Sequence, residues 1–125
     1  MRNKIQVKSA SISDNKEFLL YIGEEVTLDG LNPSGTMLVD SDQCSFIYLA
    51  ENEDEDYTYI ILDEAIWGEI KTSLENPEMK AYIAHKDGKK LELIHFQEEL
   101  LYLIENIKGN SNYGDEMVGK VEATF

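Results

Sequence analysis

Two periods of hydrophobic residues divide the chain. Up to residue 62 the apolar positions alternate or run in short blocks, as strands do. Beyond it they recur mostly at three and four residues, the spacing of one helical face, with a single hairpin in between. Residues 4–12 alternate, with Ile5 and Val7 in one phase and Ala10 and Ile12 in the other. This predicts a first strand with a bulge near Ser9 and Ala10. Ser13-Asp14-Asn15 is turn chemistry. Residues 17–22 predict a second strand, apolar on both faces. Gly23-Glu24-Glu25 breaks it, Val26 and Leu28 predict a short third strand, and Leu31-Asn32-Pro33-Ser34-Gly35 predicts a loop.

Residues 36–39 predict a short extended piece, ended by the turn Asp40-Ser41-Asp42. Residues 46–50 and 57–62 are rich in aromatic and β-branched side chains and predict two further strands. The stretch joining them, residues 51–56, is acidic but for Asn52 and predicts an exposed hairpin tip. Asp63 is placed to cap a helix from Glu64 to about Leu74, with Ile66, Trp67, Ile70 and Leu74 as its apolar stripe and Asn76-Pro77 as its stop. Residues 79–93 predict a hairpin with the two-residue loop Asp87-Gly88. In that register Ala84 faces Leu91, Tyr82 faces Leu93, Ile83 faces Glu92 and His85 faces Lys90. The covered side is then the one carrying Tyr82 and Leu93.

Residues 96–125 read as a helix, a tight polar loop and a second helix. Phe96, Leu100, Leu103, Ile104 and Ile107 form the first stripe, and Tyr113, Met117, Val118, Val121 and Phe125 the second. Gln97, Glu98 and Glu99 suit the positive end of a helix dipole, and Gly109 follows Lys108 where a left-handed residue ends a helix. Both stripes need something to cover. Strands that follow one another through tight turns predict antiparallel pairing. Together these elements predict a single α+β domain over residues 1–125, with a mainly antiparallel sheet and about three helices packed on one face.

Charge narrows the function. The net charge is −14, which disfavours nucleic-acid backbones and anionic membrane surfaces. It leaves basic proteins, cations or simple solubility as its explanation. Aromatic residues make up 10%, which argues against disorder despite that charge. A single cysteine, Cys44, allows no internal disulfide and fits a reducing compartment. Residues 1–12 lack the apolar core of a signal peptide, and no apolar run is long enough to span a bilayer. The expected location is the cytoplasm.

No established catalytic motif stands out. Asn52, Asp54 and Asp56 have the one-three-five spacing of a calcium loop, but Tyr57 stands where glycine is required and a strand follows. Asp40 and Asp42 place two carboxylates on one turn, as a magnesium site or an acid–base pair would, and as turns commonly do. His85 and His95 fall at opposite ends of their hairpin strands, which argues against a two-histidine metal site. Cys44 has no adjacent motif that would make it a nucleophile. The loop 109–114 has glycines at both ends and precedes a helix, yet it lacks Lys and Arg. Asn110, Asn112 and Tyr113 in it serve either as turn residues or as a recognition surface. No cofactor is expected.

Two stretches carry a family resemblance. One is Met37-Leu38-Val39-Asp40-Ser41-Asp42 with Phe46 and Tyr48 downstream. The other runs from Glu105-Asn106-Ile107-Lys108-Gly109-Asn110 through Asn112-Tyr113-Gly114 to Val121-Glu122. Together they resemble a small family of uncharacterised acidic cytoplasmic proteins of low-GC Gram-positive bacteria, and the resemblance covers nearly the whole chain. It implies a bacterial cytoplasmic protein and transfers no activity, cofactor or catalytic residue. The leading expectation is a non-catalytic protein-binding or regulatory module with a protein partner and no nucleic acid or membrane. The alternative is a small metal-assisted hydrolase using Asp40 and Asp42.

Overall fold

The computed structural model describes residues 3–125. Strands β1 (Asn3–Gln6), β2 (Ser9–Ile12), β3 (Glu17–Tyr21), β4 (Asn32–Asp40), β5 (Ser45–Glu51) and β6 (Tyr57–Leu62) come first. Helix α1 (Trp67–Leu74), strands β7 (Lys80–Ala84) and β8 (Lys90–Glu92), and helices α2 (Phe96–Ile107) and α3 (Asp115–Thr124) come after them. The α+β class stands, but the strands form two sheets rather than one. The first has the order β1-β6-β5-β4 and the second β2-β3-β7-β8. Pairing is mainly antiparallel, with β1 parallel to β6 and β3 parallel to β7.

The change of phase between Val7 and Ala10 is the passage from one sheet to the other, not a bulge in one strand. Val7 N–H donates to Ile61 in the first sheet at 3.2 Å, and Lys8 N–H donates to Tyr21 in the second at 2.9 Å. Residues 26–28 form no strand. Val26 and Leu28 pack on the core from a turn-rich loop, which His85 ties down through Nε2 and the Val26 carbonyl at 2.6 Å. Residues 32–35, expected in a loop, open β4 instead. As an edge strand β4 tolerates Pro33, and its register shifts between Pro33 and Thr36. Gly35 sits in that irregularity at φ +76°, and a Cβ there would come within 2.9 Å of the His95 ring.

The β7–β8 hairpin is one residue out of the expected register. Tyr82 pairs with Glu92, Ile83 with Leu91 and Ala84 with Lys90, and His85 N–H donates to Lys89. The loop is therefore Lys86-Asp87-Gly88, three residues with Gly88 at φ +102°, a common alternative to the two-residue turn. A one-residue slip exchanges the faces of β8. The covered face is Ala81, Ile83, Leu91 and Leu93, while Tyr82 faces outward beneath the Lys90 ammonium, 4.7 Å from its ring centre.

One core joins both sheets and all three helices. Asp63 caps the chain as expected, accepting from Ala65 N–H at 3.1 Å, but residues 64–66 make a 3-10 turn before α1 begins. Trp67 is core, with its indole donating to the Leu62 carbonyl. Phe96, Leu100, Ile104 and Ile107 are the buried face of α2, as the spacing predicts. Phe96 stands 6.2 Å from Phe18 of the second sheet and 6.5 Å from Tyr48 of the first, so α2 bridges the two. Phe125 beyond α3 reaches Phe46 and Trp67 at 6.2 and 5.7 Å.

Tyr48 closes the junction. Its ring is fully buried, and its hydroxyl accepts from Gly35 N–H at 3.1 Å and donates to the Ile94 carbonyl at 2.7 Å. Burial pushes its pKa up to about 12. The Gly35 N–H pulls the other way, and the Glu92 and Glu99 charges add to the rise.

Substitutions in α2 and at Tyr48 should separate buried from exposed roles. Ile104→Ala should cost about 2–5 kcal/mol in a denaturant titration, because Ile104 is 3% exposed on the buried stripe. Glu105→Ala, at an exposed position, should stay within about 0.5 kcal/mol. Equal losses would place the helix in a different phase. Tyr48→Phe strands the Gly35 N–H and the Ile94 carbonyl and should cost about 1–3 kcal/mol. The tyrosine's raised pKa makes its contribution complete below pH ~10 and lost as the pH climbs through about 12. The gap between wild type and Tyr48→Phe should therefore narrow over that window. A gap independent of pH would contradict a buried, hydrogen-bonded hydroxyl.

Candidate functional site

The turn after β4 shows what its carboxylates do. Asp40 is half-buried, and its Oδ1 accepts from Gln43 N–H at 3.3 Å across the turn. Asp42 is exposed at the tip. Cys44 closes the turn in a left-handed conformation, φ +47°. Among the described residues no three His, Cys, Asp or Glu side chains are grouped so as to hold a metal ion. The acidic tip is likewise committed to its own backbone: Asn52 Oδ1 accepts from Asp54 and Asp56 N–H at 2.9 and 3.0 Å.

Cys44 is buried, and its thiol donates to Glu116 Oε1 at 3.3 Å. Burial pushes the thiol pKa up. The Glu116 hydrogen bond adds to this, against the opposing charge of Lys120. Such a thiol is an inert core group rather than a nucleophile. The histidines stay apart: His85 is spent on Val26, and the exposed His95 lies 3.5 Å from Glu98.

Asn110 is absorbed by the loop that carries it. Its Oδ1 accepts from Asn112 N–H and its Nδ2 donates to the Asn106 carbonyl, both at 3.1 Å. Gly109, at φ +70°, donates its N–H to Glu122 of α3 at 2.8 Å. Asn112 is exposed, and Tyr113 is half-buried against the core. The Cys44–Glu116 contact brings the Asp40–Asp42 turn against the first turn of α3, directly after Tyr113 and Gly114. The two candidate stretches thus border the same helix end.

The most distinctive surface carries few of these residues. Successive side chains of a strand point to opposite faces. Phe46, Tyr48 and Ala50 of β5 enter the core, so Ser45, Ile47, Leu49 and Glu51 face the other way. Across the ladder Ile47 pairs with Leu38 and Ile61, Leu49 with Thr36 and Tyr59, and Glu51 with Tyr57. Lys4 and Gln6 of β1 complete the face beside Tyr59 and Ile61. All three helices contribute to the core on the opposite side, and Ile47 and Leu49 are not part of that core. Ile47 and Leu49 lie in the middle of this face at 8% exposure, with Leu38 and Tyr57 outside them at 41% and 47%. A depression of about 440 Å³ occupies its Ser45 end, bounded by Lys4 and Tyr59 on one side and by Asp40, Gln43 and Asp63 on the other. Asp40 enters the picture here, as part of a rim. The signal was in the sequence: residues 46–50 are apolar in both phases, which asks for cover on both faces. A second depression, between β7 and the start of α2, is lined by Lys80 and His95 with Glu78, Glu92 and Glu98, a set of mixed charge.

Comparison with known proteins agrees with the family resemblance in the sequence. Residues 5–125 match the model of a family described as "Family of unknown function (UPF0738)". A UPF0738 protein of Bacillus pumilus is 42% identical over all of this chain and 99% of its own length. One from Bacillus licheniformis is 39% identical over 100% and 99%. One from Anoxybacillus flavithermus is 42% identical over 98% of this chain and 86% of its own. No solved structure matches. A family model that spans residues 5–125, with relatives alike from end to end, places this chain in the UPF0738 family, whose function is unknown.

Proposed function

We propose that this protein is a non-catalytic protein-binding module of the bacterial cytoplasm, and that the outer face of the first sheet is its docking surface. The observation behind this reading is that face itself. Leu38, Ile47, Leu49, Tyr57, Tyr59 and Ile61 share it, and the core to which the three helices contribute lies on its other side. Contiguous apolar surface in water is costly, and on monomers a large patch usually marks a binding site. Tyrosine, with an apolar ring and a polar tip, is enriched at protein interfaces. The charge of −14 speaks against nucleic acid and anionic lipid as partners. No described helix is long and apolar enough to cross a membrane. The hydrolase alternative finds no support in the geometry: Asp40 is engaged by its own turn, and among the described residues no third ligand joins it and Asp42.

The test is a photo-cross-linking amino acid at position 38, on the face, and at position 102, which is 67% exposed on α2. In native cells position 38 should cross-link to a discrete foreign polypeptide and position 102 should not. A Leu38→Asp variant should abolish partner capture while its folding stability changes by no more than about 1 kcal/mol. Equal cross-links from both positions, or none from position 38, would overturn the reading. Cross-links to a second copy of this chain alone would replace the foreign partner with self-association.

A further inference from the structure

The charges around the outer face have an order of their own. At the end of β5 that begins with Ser45, the face is bordered by Asp40 and Asp63, with Asp42 in the adjoining turn. At the other end stands Glu51, with Glu53, Asp54, Glu55 and Asp56 beyond it in the tip. None of these carboxylates takes part in an ion pair among the described residues. Lys4 is the one basic side chain among the described residues that line the depression. An apolar strip is thus closed off by negative charge at both strand ends. β5 is seven residues long, which sets the two acidic ends roughly 20 Å apart at the rise of a strand.

We propose that this face takes a segment of another protein whose apolar centre is flanked at both ends by lysines or arginines. The proposal rests on the docking reading above and gives it a partner chemistry. The spacing fits about six or seven extended residues, or about thirteen in a helix, between the two basic ends. Each acidic end steers a basic flank, and carboxylates with no ion-pair partner among the described residues gain most from a partner that brings a cation. A second copy of this chain fits poorly. With strands aligned in either direction, its acidic ends fall on acidic ends, between molecules of charge −14 each.

The experiment uses the whole protein and four synthetic peptides, monitored by fluorescence anisotropy. Three share one apolar centre of about seven residues and carry lysines at both ends, lysines at one end, or glutamates at both ends. The fourth keeps both lysine flanks around a Gly-Ser centre. The doubly lysine-flanked apolar peptide should bind best. One-ended lysine and the Gly-Ser centre should each weaken binding about tenfold, and glutamate flanks about a hundredfold. Leu38→Asp should weaken the best peptide at least about tenfold. The double change Glu51→Gln, Glu53→Gln should bring it down to the one-ended level.

Equal binding by the Gly-Ser peptide would mean unspecific charge attraction and would overturn the proposal. Glutamate-flanked binding as strong as lysine-flanked, and sensitive to Leu38→Asp, would overturn the charge chemistry and leave the docking face standing. So would failure of all four peptides alongside a foreign polypeptide cross-linked from position 38. Failure of the peptides with no such cross-link would remove both. A dimer in sedimentation that Leu38→Asp dissociates would assign the face to a second copy instead.

Discussion

The buried hydroxyl of Tyr48 ties the edge of the first sheet to the segment that leads into α2. In a fully enclosed position it needs partners for its proton and its lone pair, and the chain supplies one from each side of a junction. Gly35 N–H comes from the irregular edge strand, and the Ile94 carbonyl from the segment that leads into α2. Both partners have costs elsewhere. Gly35 adopts a positive φ where a Cβ would meet His95, and His95 itself takes a left-handed conformation at φ 60°. Together these contacts place Phe96, which meets Tyr48 on one side and Phe18 of the other sheet on the other. Two residues earlier on β5, Phe46 meets Trp67 and Phe125, so α1 and the chain beyond α3 seat on the same strand.

That arrangement also explains the outer face. Phe46, Tyr48 and Ala50 direct one side of β5 inward, and the intervening Ile47 and Leu49 then point away from the helices. A strand that is apolar on both sides ordinarily lies in a sheet covered on both sides. Here Ile47 and Leu49 are nearly enclosed on the outer side, and Leu38 and Tyr57 beside them stay exposed.

Elements whose cause is local were legible in the sequence. The stripe of α2, the left-handed Gly109 after it, the Asp63 cap and the β5–β6 hairpin each arise from residues close together. Non-local choices were not legible. Nothing near Val7 and Lys8 says that the two halves of an alternating stretch will join different sheets, because the deciding partners are Ile61 and Tyr21. The parallel pairing of β1 with β6 and of β3 with β7 is hidden for the same reason. Asp87-Gly88 admits both a two- and a three-residue loop, and the apolar set Ala81, Ile83, Leu91 and Leu93 settles which. Pro33 reads as a breaker until β4 is known to be an edge. Of the candidate site, Asp40 was visible as a turn residue, and its place on a rim emerged only once β4 and β5 were paired. The doubled apolar phase of residues 46–50 held the signal, which the sequence reading did not draw out.

The central claim is that, among the described residues, the outer face of the first sheet keeps Leu38 and, in part, Ile61 open to solvent. Along β6 the claim separates neighbours: Ile61 and, across the sheet, Leu38 face outward, while Ile60 and Leu62 are fully buried. Methyl relaxation by a water-soluble paramagnetic agent reads this directly in the isolated protein. The account predicts strong enhancement at Leu38, clear enhancement at Ile61, and none at Ile60 or Leu62. Uniform protection of all four methyls in the monomer would contradict it.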